Sequence, residues 1–170
     1  MTEPATASAL REAAAGPDRM ERVLGWASLA MLAILIAAVL HGRAEWDAVP
    51  LAVWPHLATV AAALALTPAI LWRRRGDTRH RVLGYIWLTA MAATALVTFS
   101  IRVTNPGSFS VIHLLSAWVL IQVPLIVWWA RQGNWARHRQ AVRAMVIGAL
   151  LIAGAFTLPF GRLLGRWLAG

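Results

Sequence analysis

The sequence predicts an all-α membrane protein with five transmembrane helices: a four-helix bundle made of two parallel-repeat helical hairpins, plus an N-terminal helix. Three observations predict it. The 170 residues are 59% hydrophobic and 14% charged, with a mean hydropathy of +0.62, whereas a soluble domain carries about 25% charged residues. The apolar residues gather into five runs, 23–40, 51–72, 82–101, 109–130 and 141–160, none containing Lys, Asp or Glu. Each run is near the ~20 residues that cross a hydrocarbon core. Finally, one basic phrase is written twice, RRRGDTRHR at 73–81 and RQGNWARHR at 131–139.

The elements follow in order. Residues 1–17 are rich in Ala, Thr, Glu and Pro and read as a flexible cytoplasmic N-terminus; 18–170 reads as a single helical transmembrane domain. Glu3, Glu12, Asp18 and Glu21 precede the first apolar run, unlike the short positive opening of a cleaved signal. Asp18 and Glu21, in PDRMERVLG, have capping-box spacing and start the first helix near Asp18. His41 ends it. Two units then match in order, with repeat limits of about 51–102 and 108–162. The first runs His56, Pro68, Gly76-Asp77, His80, Arg102; the second runs His113, Pro124, Gly133-Asn134, His138, Arg162. Pro68 and Pro124 should kink matching descending helices. The closing FGRLLGRWLAG either finishes the last span or lies along the surface as a short amphipathic tail.

The linkers set the orientation. Eight Arg occupy the two linkers that contain the repeated phrase, against Arg43 and Arg102 in the other two. Arg-rich short loops stay cytoplasmic, so the N-terminus is expected inside and the C-terminus outside. Trp46 and Trp54 should mark the outer interface, and Trp26, Trp72, Trp128, Trp129 and Trp135 the inner one. All sixteen basic residues are Arg, which reads as GC-rich bacterial coding and points to a bacterial inner membrane. The net charge of +9 serves topology and predicts no nucleic-acid partner, because no soluble basic face exists to dock a duplex. The absence of cysteine excludes disulfides, thiolate metal sites, iron–sulfur clusters and covalent haem attachment.

The histidines are the candidate chemistry. Each repeat helix carries one near its start: His56 after Pro55, His80 after Asp77, His113 after Ser108 and Ser110, and His138 after Asn134. An up-down bundle places His56 and His113 near the outer face and His80 and His138 near the inner one. Helix N-termini and nearby Arg charges disfavour imidazolium, and neutral imidazole is the metal-binding form. The same side chains also suit plain interfacial anchoring, and RHR suits contact with lipid phosphates.

Four helices with one His each resemble the ascorbate-reducible transmembrane cytochromes and other two-haem membrane cytochromes b. The phrases RGDTRHRVLGY, GNWARHR, SFSVIHLLS and FTLPFGR also resemble the bacterial membrane protein family labelled domain of unknown function 2306, over roughly 50–165. The first resemblance implies one or two b haems, between His56 and His113 and between His80 and His138. It also implies Arg102 or Arg162 at the haem propionates, and transmembrane electron transfer with a quinone or a redox partner protein. The outer pair is the favoured one, with Ala58, Ala61, Ala62, Ser116 and Ala117 as slot residues, because His80 and His138 sit beside Arg clusters near the headgroups. From sequence the competing reading is a non-redox membrane module, an assembly partner or a small transporter-like bundle, and homo-oligomerisation is compatible with either. Few polar residues fall at mid-depth, which weakens ion coupling. No nucleophile–base pair, P-loop or dinucleotide fingerprint occurs.

Overall fold

The first helix starts where its carboxylates place it. In α1 (Arg19–His41), Asp18 is the N-cap; its side chain accepts from the Glu21 N–H at 2.9 Å and its own N–H donates to Glu21 Oε2 at 3.2 Å. The computed structural model describes residues 16–99, 111–159 and 161–169, and all regular elements among them are helical. The N-terminal tail through residue 15, Arg102 and the 102–108 linker lie outside the described residues. A 3-10 stretch, Gly42–Ala48, follows α1 and leads to α2 (Val53–Leu71), with Pro55 in its first turn, where a missing N–H costs no helical bond.

The two Arg-rich turns share one construction. Gly76 (φ 84°) and Gly133 (φ 69°) both take the left-handed conformation that a side chain would disfavour. Each is followed by an N-cap. Asp77 accepts from the His80 N–H to start α3 (Thr78–Thr98), and Asn134 accepts from the Arg137 N–H at 3.2 Å to start α5 (Trp135–Met145). Between them runs α4 (Val111–Arg131). Pro68 and Pro124 lie inside α2 and α4.

Among the described residues, four helices are long and apolar enough to cross a membrane: α1 to α4. The last apolar run differs from the 141–160 expected. Helical structure begins at Trp135, changes to π winding over Val146–Ile152 and ends in α6 (Ala153–Ala155). Arg137, Arg139 and Arg143 make its first half polar, and the π segment divides the rest. The chain then bends, with Gly161 at φ 64°, into a separate helix α7 (Leu163–Ala169) that returns to α1. The C-terminal segment thus forms a helix of its own, apart from the run that ends at Ala155. Trp167 anchors it, 3% exposed, with its Nε1 donating to Glu45 Oε2 at 3.2 Å and its ring against Gly42.

Around the bundle α1 packs on α2, α2 on α3, α3 on α4 and α4 on α5, and the π-wound segment returns to α1. Thus α2 faces α4, and α3 faces α5, across the middle. Leu64, Trp87, Met91, Ile126, Met145 and Leu150 fill the centre. Leu96, Leu114 and Ile121 are 58%, 72% and 60% exposed, which suits a lipid surface rather than water. Lipid gives apolar side chains little reason to turn inward, so close packing and internal hydrogen bonds specify this core. One such bond runs from Trp87 Nε1 to Thr67 Oγ1 at 3.1 Å, with Thr67 donating in turn to the Ala63 carbonyl at 2.8 Å. The Trp26–Trp72 and Trp46–Trp54 ring pairs, centroids 5.2 Å apart in each, join residues that the sequence assigns to the same interface.

Candidate functional site

Among the described residues two cavities stand out along the bundle axis, named inner and outer after the sides expected from the linkers. The inner one, about 50 Å³, is lined by His80 and Gly84 on α3, His138 on α5, Trp87, Arg75 and Arg139, among others. Its construction is local. The N-caps Asp77 and Asn134 place each histidine in the first turn of its helix, and α3 and α5 face one another, so both rings turn toward the axis. The His138 ring is held by a backbone group of the preceding helix, its Nδ1 3.1 Å from the Ile126 carbonyl, and the Ile70 backbone stands near the His80 ring in the corresponding place. Ile70 and Ile126 each stand two residues beyond the helix proline. One ring nitrogen of His80, Nδ1, is buried with no hydrogen-bond partner. A Cβ added at Gly84, one turn along from His80, would meet nothing within 4 Å.

The mouth of this cavity carries an ion cluster that the sequence reading missed. Glu21, 1% exposed, takes Arg139 Nε at 2.8 Å and Arg143 Nη2 at 3.0 Å on Oε1, and Arg75 on Oε2. Asp18 takes Arg139 Nη2 at 2.9 Å and also binds Arg143. The capping box therefore has two roles: it starts α1 and ties that helix to the α2–α3 turn and to α5. For Asp18, partial burial acts to raise the carboxyl pKa. The Glu21 N–H and the Arg143 and Arg139 guanidiniums outweigh it and hold the group below its ordinary value. At Asp77 the His80 N–H and then Arg73, whose Nε is 3.0 Å away, lower the carboxyl pKa. Burial draws the Arg75 guanidinium below its usual value, against the pull of Glu21. In sequence the clue was that the chain has only seven acidic residues, two of them at the start of a helix facing Arg-rich turns.

The outer cavity, about 110 Å³, includes His56, Thr94, Thr98 and Ser116 in its lining. His56 Nδ1 lies 3.2 Å from Thr98 Oγ1, so the ring is held by α3. His113 does not join it. Ile112, Leu115, Ser116 and Val119 turn toward the cavity, and His113 is rotated by about 100° from Ile112, one step of an α-helix. Its buried ring packs on Phe99, centroids 5.6 Å apart. The favoured outer pair is thus not brought around one cavity, and the inner pair is. Of the slot residues expected there, only Ser116 lines the cavity; Ala58 and Ala62 are exposed, because His56, Leu57, Val60 and Leu64 form the inward stripe of α2. Arg162 is exposed and off the lining.

The residues can be tested for fit to a b haem. At the inner cavity the donor chemistry fits in part: two imidazoles on facing helices, an orphaned ring nitrogen and open space at Gly84, while the Arg75 and Arg139 guanidiniums in the lining are already committed to Glu21 and Asp18. The volume of about 50 Å³ is smaller than a porphyrin, so α3 and α5 must part to admit one. At the outer cavity His56 is already engaged and His113 is turned away, and the pair does not fit. Among the described residues no three His, Asp or Glu side chains form a metal-binding group. No protein-family model, curated protein or solved structure matches the chain.

Proposed function

We propose that the chain is a five-span b-haem protein of a bacterial inner membrane that carries electrons, with its haem held between His80 and His138. The observation that carries this is the convergence of the two histidines on one axial cavity, with the His138 ring tied to the Ile126 carbonyl two residues past a helix proline. A haem held by two imidazoles has no open position, which suits electron transfer rather than oxygen chemistry. The protein's part is positional. The Ile126 carbonyl fixes the tautomer and plane of His138, as a backbone acceptor does for a metal-bound histidine. Leu71, Trp87, Leu88 and Val142 would keep water from the ring faces.

The same construction in both halves supports a parallel repeat: a left-handed glycine, an N-cap, a first-turn histidine and, near its ring, a backbone group two residues past a helix proline. The helical run Trp135–Ala155 is 21 residues long, enough to cross as a fifth span. With the Arg-rich turns at 73–81 and 131–139 inside, the N-terminus is cytoplasmic and the haem lies in the inner half. The quoted phrases support membership of the domain of unknown function 2306 family. A membrane quinol or a soluble redox protein is the donor class this placement suits.

The test is the visible spectrum of the full chain, purified in detergent from haem-sufficient cells, oxidised and then dithionite-reduced. The expected result is a low-spin reduced α-band that His80→Ala and His138→Ala abolish and His113→Ala leaves intact, with size-exclusion profiles confirming the fold. A colourless wild-type protein, or a band that depends on His56 and His113 instead, overturns the assignment.

A further inference from the structure

The outer cavity remains without a role in this scheme. Its polar residues gather at the outer end, and Leu64, Met91, Val119 and Leu150 form an apolar floor at mid-depth. No charged side chain lines it among the described residues.

The direction of its hydrogen bonds is informative. Four hydroxyls line the cavity, and each donates elsewhere. Thr94 Oγ1 donates to Thr59 Oγ1 at 2.7 Å, and Thr98 Oγ1 to the Thr94 carbonyl at 2.8 Å. Ser116 Oγ donates to the Ile112 carbonyl at 3.1 Å, and Thr157 Oγ1 to the Gly154 carbonyl at 2.6 Å. Thr59 in turn donates to the Pro55 and His56 carbonyls, at 2.9 and 3.0 Å, so the chain does not reverse. A hydroxyl has one proton and two lone pairs, so each of the four shows the cavity only acceptor capacity. With the Thr98 proton on Thr94, His56 Nδ1 at 3.2 Å is the donor of that pair, and Nε2 is left as a further acceptor.

We infer that this cavity binds a small neutral lipophilic molecule bearing a hydroxyl, an alcohol or phenol, whose O–H donates at the outer end and whose apolar body rests on the floor. Acceptor-only walls select a donor. A ketone, quinone or ether of the same size would set lone pairs against lone pairs. The described lining residues carry no charge to hold an acid or an amine. The size follows from the volume: a cavity of roughly 150 Å³ takes one benzene ring, so 110 Å³ suits a slimmer body, an alkyl alcohol better than a phenol. The inference stands independently of any haem at the inner site.

The experiment uses the full chain in detergent, photolabelled with an octanol carrying a diazirine and mapped by peptide mass spectrometry. Label is expected in the peptides over 91–98 and 112–119, and excess 1-octanol should remove it. At matched micellar concentration 2-octanone should compete about three- to tenfold less well, the value of one hydrogen bond, and octane less still. Ser116→Ala and Thr98→Val should narrow the alcohol-to-ketone ratio toward one; if Thr98→Val misfolds by size exclusion, Ser116→Ala alone carries this arm. Equal competition by 2-octanone overturns the inference. So does label that spreads over the lipid-facing Leu114 and Ile121 and resists competition.

Discussion

Replacing Glu21 by Ala removes the hub that joins α1 to the rest of the bundle. Its side chain is 2% exposed and that of Arg75 8%, while Arg139 and Arg143 are 20% exposed and also bind Asp18. Breaking a buried ion pair by removing one partner costs about 3–5 kcal/mol, because the surviving charge keeps its desolvation penalty. Since Arg139 and Arg143 keep Asp18, the lower end applies. A loss of about 3 kcal/mol lowers the melting midpoint by roughly 6–12 °C for a chain of this size. Glu21→Gln retains the shape and loses the charge, and should cost about half as much. The assay is thermal unfolding in detergent followed by circular dichroism, with a double-mutant cycle against Arg75→Ala. Coupling above about 1 kcal/mol is expected for contacting residues, and the effect should persist at high salt because a buried pair is screened little. A loss under about 1 kcal/mol, or one that disappears in about 1 M salt where surface charges are screened, refutes the account of Glu21 as a buried hub.

Three further outcomes are expected. Asp77 has a folded-state pKa below its unfolded value, so the stability it contributes is full above the unfolded value near about 4 and is lost as pH falls through the folded one. Thermal midpoints measured across this range should therefore fall less steeply in Asp77→Asn, which keeps a capping oxygen, than in the wild type. In Gly42→Ala the new Cβ runs into the Trp167 ring; this should cost about 1–3 kcal/mol as overpacking and free α7, read as red-shifted tryptophan emission and faster C-terminal proteolysis. For topology, the cysteine-free chain gives a clean background: Asp47→Cys should react with an impermeant maleimide on intact cells and Arg74→Cys only after lysis, and the reverse pattern would invert the orientation.

The sequence by itself determined that the chain is helical and where three of the helices start. Apolar runs of membrane length need no partner to be helical, since lipid offers the backbone no other hydrogen bonds. Asp18, Asp77 and Asn134 cap within three residues of where they act, and Gly76 and Gly133 set their turns through φ alone; such interactions are local and therefore legible. What lay beyond reading was rotation about each helix axis. A membrane helix is apolar on all sides, so periodicity does not say which face turns inward. Whether His113 or Ile112 met the outer cavity was thus decided only by packing, and the outer pair was favoured where the inner pair converges. The same held for Glu21. Its capping bond spans three residues, but its contacts with Arg75 and Arg139 span 54 and 118, and only the tertiary fold could bring those charges together.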